Sequence, residues 1–238
     1  MTQFRANALA AALVRAQQHW DQQHSRPKKE EEPAWSIAIT RQAGANAPKI
    51  AQEVGAHLGW PVYDHQLVEH IAEDHGLRVR LLDTVDEKTT SWIRDCIESF
   101  GLEHGVTLPG YVRYLVETLH TLSKHGHCVL VGRGAAQVLP PETTLRVRLI
   151  GSLHDRVQSI SDRHGISPQE AKDWVDKKDR ERNKFVRDHF HKDPNDPNAY
   201  DLTLNSHRYS VKECAEMIVK ALHAAEQKSL EKHEAVRA

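Results

Sequence analysis

This chain has few cysteines, no long apolar run and no excess of charge of either sign. Its three cysteines, Cys96, Cys128 and Cys214, are odd in number and far apart. That argues against a disulfide scaffold and against a C-x-x-C zinc site, and it fits a reducing cytoplasm. No apolar run reaches the roughly 18 residues that a membrane helix needs, so no membrane partner is expected. Arg5 and Arg15 interrupt the Ala-rich N-terminus, which also lacks a cleavage-site pattern, so it does not read as a secretory leader. Lys and Arg number 32 against 33 Asp and Glu, a net charge of −1. A nucleic-acid partner held by phosphate neutralisation would need a basic field, and none is expected here. There is no G-x-S-x-G elbow, no internal repeat and no low-complexity domain. The 17 histidines suggest metal ligands at first. Neither His65 with His70 nor His189 with His191 has the i, i+4 spacing that sets two imidazoles on one helical face, so no metal site is expected.

What is present is an alternation of short apolar strands and longer helical patterns. The 238 residues, 39% apolar and 27% charged, are ample for a core. Ser36–Thr40, Cys128–Gly132, Leu145–Ile150 and Asp201–Asn205 read as buried strands. Helices are expected over Lys49–Leu58, Asp64–His75 and Thr89–Phe100. A further one carries Tyr111, Leu115, Leu119 and Leu122 on one stripe, with Gly126 as its C-terminal stop. Ser167–Pro168–Gln169–Glu170 is a helix start with a capping box, and Ser210 with Glu213 repeats it. The pattern implies an α/β fold, a parallel central sheet with helices on both faces. Before it, Leu9, Leu13, Ala16 and Trp20 make one apolar stripe on a helix. That helix either caps the domain or serves a homodimer or partner. Lys28–Pro33 is charged and proline-bounded and reads as a linker. The expected divisions are 1–34, helix and linker; 35–226, the α/β domain; and 227–238, a charged tail.

Ligands of parallel sheets bind beyond the carboxyl ends of the strands, and two strand ends here are unusual. At the first, Ile37–Thr40 runs into Arg41–Gln42–Ala43–Gly44–Ala45–Asn46–Ala47–Pro48–Lys49. Small residues let backbone N–H groups approach an anion, and a helix N-terminus adds its dipole. An ordinary tight strand-to-helix turn favours the same residues. At the second, Val129–Val131 leads to Gly132–Arg133–Gly134. An arginine fork there suits a phosphate, or equally a structural carboxylate. The run imitates a dinucleotide fingerprint, but its third glycine is missing and Pro140–Pro141 leaves no room for the long helix. A third cluster, Asp176 to Arg182, sets Asp179 and Arg182 at i, i+3 on one helix. It is either a phosphate clamp or a solvated salt-bridged face.

In this order, the three clusters resemble the cytidylate kinase-like family of P-loop proteins, over about Trp35 to Leu222. The family's S-R-x-x-G-S-G-G-x-x-I-A loop stands here as Thr40 to Ala51. Its G-W-P-x-Y-D segment is Gly59–Trp60–Pro61–Val62–Tyr63–Asp64. The V-x-V-G-R-G-A stretch lies at Val129 onward, the L-R-V-R-L strand and D-R-V helix at Leu145–Val157. The D-x-x-D-R-x-R helix is Asp176–Arg182, and Y-D-L-x-x-N-[ST] is Tyr200–Ser206.

The resemblance implies a P-loop NTPase-like three-layer sandwich with a helical lid, here carrying an N-terminal helical extension. It implies ATP with Mg²⁺, and phosphoryl transfer to a nucleoside monophosphate such as CMP or dCMP. ATP phosphates would lie on Arg41, Gly44, Ala45, Asn46, Ala47 and Lys49. The acceptor would lie toward Tyr63, Asp64 and Arg133. Asp179, Arg180 and Arg182 would act from the lid, with Asp179 near the acceptor. The departures sit in the loop. A standard P-loop is G-x-x-x-x-G-K-[ST]. Aligned through Gly44, Arg41 replaces the first glycine and Asn46 the second. Ala47 stands at the lysine position and Pro48 near the hydroxyl position. Asn tolerates a positive φ, and Arg41 or Lys49 would supply the missing charge. Gly134 stands where bacterial relatives carry an aspartate toward the base. The same departures motivate a second reading, a weak or inactive nucleotide-binding protein with a regulatory or scaffolding role.

Overall fold

The computed structural model describes residues 2–24, 34–85, 87–104 and 110–237. Lys28–Pro33, expected as a linker, lies outside them. The order of elements is α1 (Thr2–His24), β1 (Ser36–Arg41), α2 (Ala47–Leu58), β2 (Val62–Tyr63), α3 (His65–Glu73) and α4 (His75–Leu82). Then follow α5 (Glu87–His104), α6 (Gly110–His125), β3 (Cys128–Val131), α7 (Ala135–Val138) and β4 (Thr144–Ile150). The chain closes with α8 (Leu153–His164), α9 (Pro168–Phe190), β5 (Leu202–Asn205) and α10 (Val211–Arg237).

The described strands form one parallel sheet in the order β2-β3-β1-β4-β5. β1 is central, with Ser36 in register with Cys128 on one side and Thr144 on the other. Strand alternation sends its residues to two cores. Ile37 and Ile39, with Val129, Val131, Leu145, Val147 and Leu149, pack under α2 and α10. Ala38, Cys128 and Leu130 face the opposite layer, built by α3, α6 and the short α7. The expected three-layer α/β arrangement is thus the one observed. The capping box at Ser167 and Glu170 forms in both directions, as does the one at Ser210 and Glu213. Gly126 ends α6 with φ +65 and packs against Ala34.

Three segments depart from the sequence reading. Asp64–His75 was expected as one helix, but Asp74 interrupts it. Its backbone is extended, and its carboxylate accepts the Leu77 N–H at 2.9 Å, so it starts α4 instead. β2 has only two residues, too few for a period-2 signal. The segment from Gln227 to Arg237, expected as a tail, continues α10 as helix.

The α1 stripe docks on its own domain. Trp20 and Ala16 are fully buried, and Leu9 and Leu13 pack beside them against the α3–α6 layer. Burying large side chains of this kind stabilises by roughly 2–3 kcal/mol each.

Candidate functional site

The turn from β1 into α2 needs left-handed backbone at two positions. Gly44 has φ +87 and Asn46 φ +50. At Gly44 a side chain is also excluded by packing, because a Cβ there would lie 2.5 Å from the Arg156 carbonyl oxygen. Asn46 tolerates its conformation and turns its side-chain oxygen to Arg163 Nη2 at 3.0 Å. Pro48 sits in the first turn of α2, where a missing N–H is harmless.

A carboxylate holds this loop from outside. Asp179 on α9 accepts the Ala43 N–H at 2.7 Å through one oxygen and Arg156 Nη1 at 2.6 Å through the other. Arg156 also donates to Ala43 O and Gly151 O. Both polar groups of the Ala43 peptide are therefore gripped by one ion pair that spans α8 and α9. The Gln42 amide bonds to Leu149 O and the Ala45 amide to Gln42 O. Gly44, Asn46 and Ala47 line a cavity at the start of α2, where a helix N-terminus favours an anion.

Three arginines converge beside the loop. Arg41 lies across Gly132, whose missing Cβ would strike its guanidinium. Burial, then repulsion from Arg182 and Arg133, push the Arg41 pKa down to about 9, with Asp64 pulling the other way. A guanidinium resists losing its proton, so such a site is relieved by an anion. Arg182 is also pushed down, by burial first. Among the described residues, buried Arg133 Nε and Arg182 Nη1 have no hydrogen-bond partner. Arg133 itself is left-handed, φ +51, between Gly132 at +86 and Gly134 at +73. Non-glycine residues in that region store roughly 1–3 kcal/mol of strain, which clusters at functional sites. Its other end is fixed by Glu69 at 2.6 Å, which in turn accepts the Tyr111 hydroxyl at 2.9 Å.

Two cavities meet at this cluster. One, about 400 Å³, is lined by Arg41, Arg133, Arg148, Arg182, Lys178 and Gln137, with Phe185 and Tyr200 as aromatic walls. The other, about 790 Å³, covers Gly44 to Pro48 and runs along α2 to α1. Arg41, Gln42, His65, Trp174 and Arg182 line both. His65 is held below its ordinary range by burial first and then by Arg41. Among the described residues, no group of three or more His, Cys, Asp or Glu could hold a metal ion. None of their helices is long and apolar enough to cross a membrane.

The structure thus brings together Arg41, Gly44, Ala45, Asn46, Ala47, Asp64, Arg133, Asp179 and Arg182 around the two cavities. Lys49, Arg180 and Tyr63 fall elsewhere, and Asp64 and Asp179 have partners of their own. Lys49 and Arg180 are exposed and line neither cavity. Tyr63 is fully buried under α1, its hydroxyl taken by Trp20 Nε1 at 2.9 Å. Asp64 accepts the Gln66 and Leu67 N–H groups through one carboxylate oxygen, Oδ1, as the cap of α3. Asp179 sits on the loop, at Ala43. Sequence reasoning missed Arg156, Glu69, His65 and Arg148. Arg156 and Arg148 had a signal in their places in the D-R-V and L-R-V-R-L stretches, and His65 was weighed only as a metal ligand.

Comparison with known proteins bears on the family and the fold. The model of the cytidylate kinase-like family matches residues 36–208. A cytidylate kinase of Methanopyrus kandleri is 22% identical over 196 residues, 78% of this chain and 92% of that protein. An uncharacterized protein from Eubacterium ventriosum has a similar structure, with TM-score 0.56 and 17% identity over 79% of this chain and 98% of that one. A gluconokinase from Sinorhizobium meliloti aligns with TM-score 0.49 and 12% identity over 85% and 99%. With its loop, its arginine cluster and more than two thirds of its length matched, the chain belongs to the cytidylate kinase-like family.

Proposed function

We propose that this protein transfers a phosphoryl group from ATP to a nucleoside monophosphate, CMP or dCMP. One observation carries the reading: Arg41 and Arg182 form the shared wall of two cavities, one over the loop and one beside Arg133. Donor phosphates would rest on the loop amides of Gly44, Asn46 and Ala47, and the acceptor would enter the smaller cavity. The transferring group would then pass between Arg41 and Arg182. Phosphoryl transfer needs alignment and positive charge more than covalent help. Buried guanidiniums with unfilled donors are preorganised for charge on the equatorial oxygens. Arg133, locked by Glu69, would orient the acceptor phosphate.

The residues do not form a magnesium site of their own. Pro48 stands near the usual hydroxyl position, Asp179 is paired with Arg156, and Asp64 caps a helix. Mg²⁺ binds largely through phosphates and water in such enzymes, so here it belongs to the nucleotide substrate, and the protein's part is carried by arginine.

The test is a coupled ADP-release assay with ATP and CMP, dCMP, UMP or AMP. CMP or dCMP should be turned over fastest. Arg41→Ala and Arg182→Ala should each lower kcat by about 10²–10³, whereas exposed Lys49→Ala should stay within about twofold. Turnover restricted to AMP or UMP would overturn the acceptor assignment. A second reading rests on the bond between Asp179 and the Ala43 amide, in a loop lacking both lysine and hydroxyl. It is a nucleotide-binding protein without turnover, acting in regulation or scaffolding. Calorimetric binding of ATP or CMP with no turnover on any acceptor would select it, and no binding at all would sink both.

A further inference from the structure

The family match begins at residue 36, so α1 lies outside it. Even so, α1 reaches the site. Trp20 Nε1–H donates to Tyr63 Oη at 2.9 Å, and His19 Nδ1 lies 3.2 Å from the same oxygen. Trp20 and Tyr63 are both fully buried. Asp21 pairs with Arg80 at 3.1 Å and ties the end of α1 to α4. Arg15, Gln18 and Gln22 complete one wall of the larger cavity.

We infer that α1 is a positioning element of the nucleotide site, acting through the bond from Trp20 to Tyr63. Among the described strands, β2 is an edge strand of two residues, paired only to β3. So short a ladder fixes its end weakly. Tyr63 is that end. The next residue, Asp64, starts α3, and α3 carries His65 into both cavities and Glu69 onto Arg133. The indole therefore holds the origin of the helix that sets Arg133. A shift of about 1 Å in a positioning element can cost on the order of 10²-fold in rate. Loss of one neutral hydrogen bond is the smaller perturbation, for which we expect about tenfold.

This inference rests on the nucleotide kinase reading, and its test separates the two. Trp20→Phe keeps a ring in place and removes the N–H. In the full chain it should lower kcat about tenfold while leaving the KM for ATP within about twofold. Hydrogen exchange at the Gln66 and Leu67 amides, which bond to Asp64, should accelerate. Ile218→Val, buried on the far side of the sheet, should lower stability without moving either readout. If Trp20→Phe fails to fold, Tyr63→Phe removes that bond together with the His19 contact and should give the same split, at least as large. Wild-type kcat and wild-type exchange in the folded variant would overturn the inference. A rise in kcat would also overturn it, since α1 would then be a brake. Absence of turnover in the wild type would strike the kinase reading alone, because the exchange measurement still decides whether α1 holds α3.

Discussion

Replacing Asp179 with alanine removes the carboxylate that ties α9 to the loop between β1 and α2, where Ala171 and Val175 of α9 also pack against Ala43. The Asp179 carboxylate is 23% exposed and the Arg156 side chain 9%. Two losses follow. The Ala43 N–H, on a residue 1% exposed, loses its acceptor, at about 1–3 kcal/mol. Arg156 keeps its bonds to Ala43 O and Gly151 O but loses its counter-charge. For a fully buried pair that costs roughly 3–5 kcal/mol. Water entering beside the partly exposed Asp179 position reduces both, and we expect a total of about 3 kcal/mol. At roughly 2–4 °C per kcal/mol for a chain of this size, Tm should fall by about 6–12 °C. Asp179→Asn keeps an oxygen for the Ala43 N–H and loses only the charge, so it should show about half of that fall. Because the pair is mostly buried, 0.5 M salt should not erase the difference. Thermal unfolding by circular dichroism reads the result. A fall below about 2 °C for alanine would refute the clamp. Asparagine as damaging as alanine would refute the part assigned to the loop amide.

Two further predictions concern backbone and pH. Gly44→Ala should destabilise by roughly 2–4 kcal/mol, because φ +87 disfavours a side chain and the new Cβ would press on Arg156 O; Asn46→Gly should stay within about 1 kcal/mol, and equal Tm values for the two variants would count against the turn geometry. Burial holds the His120 pKa down to about 4, with Lys124 adding to it, while the unfolded chain titrates near 6.5. Its contribution, roughly 3 kcal/mol, is complete above pH 6.5 and is lost as pH falls through 6.5 toward 4. In urea titrations, His120→Phe, which keeps the edge contact with Trp92, should flatten the stability curve in that window by about one proton; superimposable curves would refute the assignment.

Much of the fold was legible because its signals are local. β-branched runs announced β1, β3 and β4, and capping boxes announced α9 and α10. Strand order was not legible, since no residue in β1 states that β3 and β4 flank it. Asp74 reads as an ordinary helix residue until its carboxylate is seen on Leu77 N. In the site, the motif register located Arg41, Arg133 and Arg182. The register does not tell Arg41 from Lys49 as the loop's cation, which depends on burial. Nor does it reveal that Asp179 meets Ala43 across 136 residues, or that Trp20 claims the Tyr63 hydroxyl across 43. Helical spacing relates neighbours on one helix and is silent about contacts between elements.

The central place of β1 has a consequence for synthesis. Ser36 and its neighbour Thr144 lie 108 residues apart in the chain, and the clamp on Ala43 waits for residue 179. Parallel pairings at such separation form slowly, because long loops must close before any contact rewards them. A nascent chain leaves the ribosome at about 5–20 residues per second. The apolar strand β1, Ile37 to Ile39, therefore spends several seconds without either neighbour. That interval, more than the finished protein, is where this chain is exposed to misassembly and where a chaperone would have most to protect.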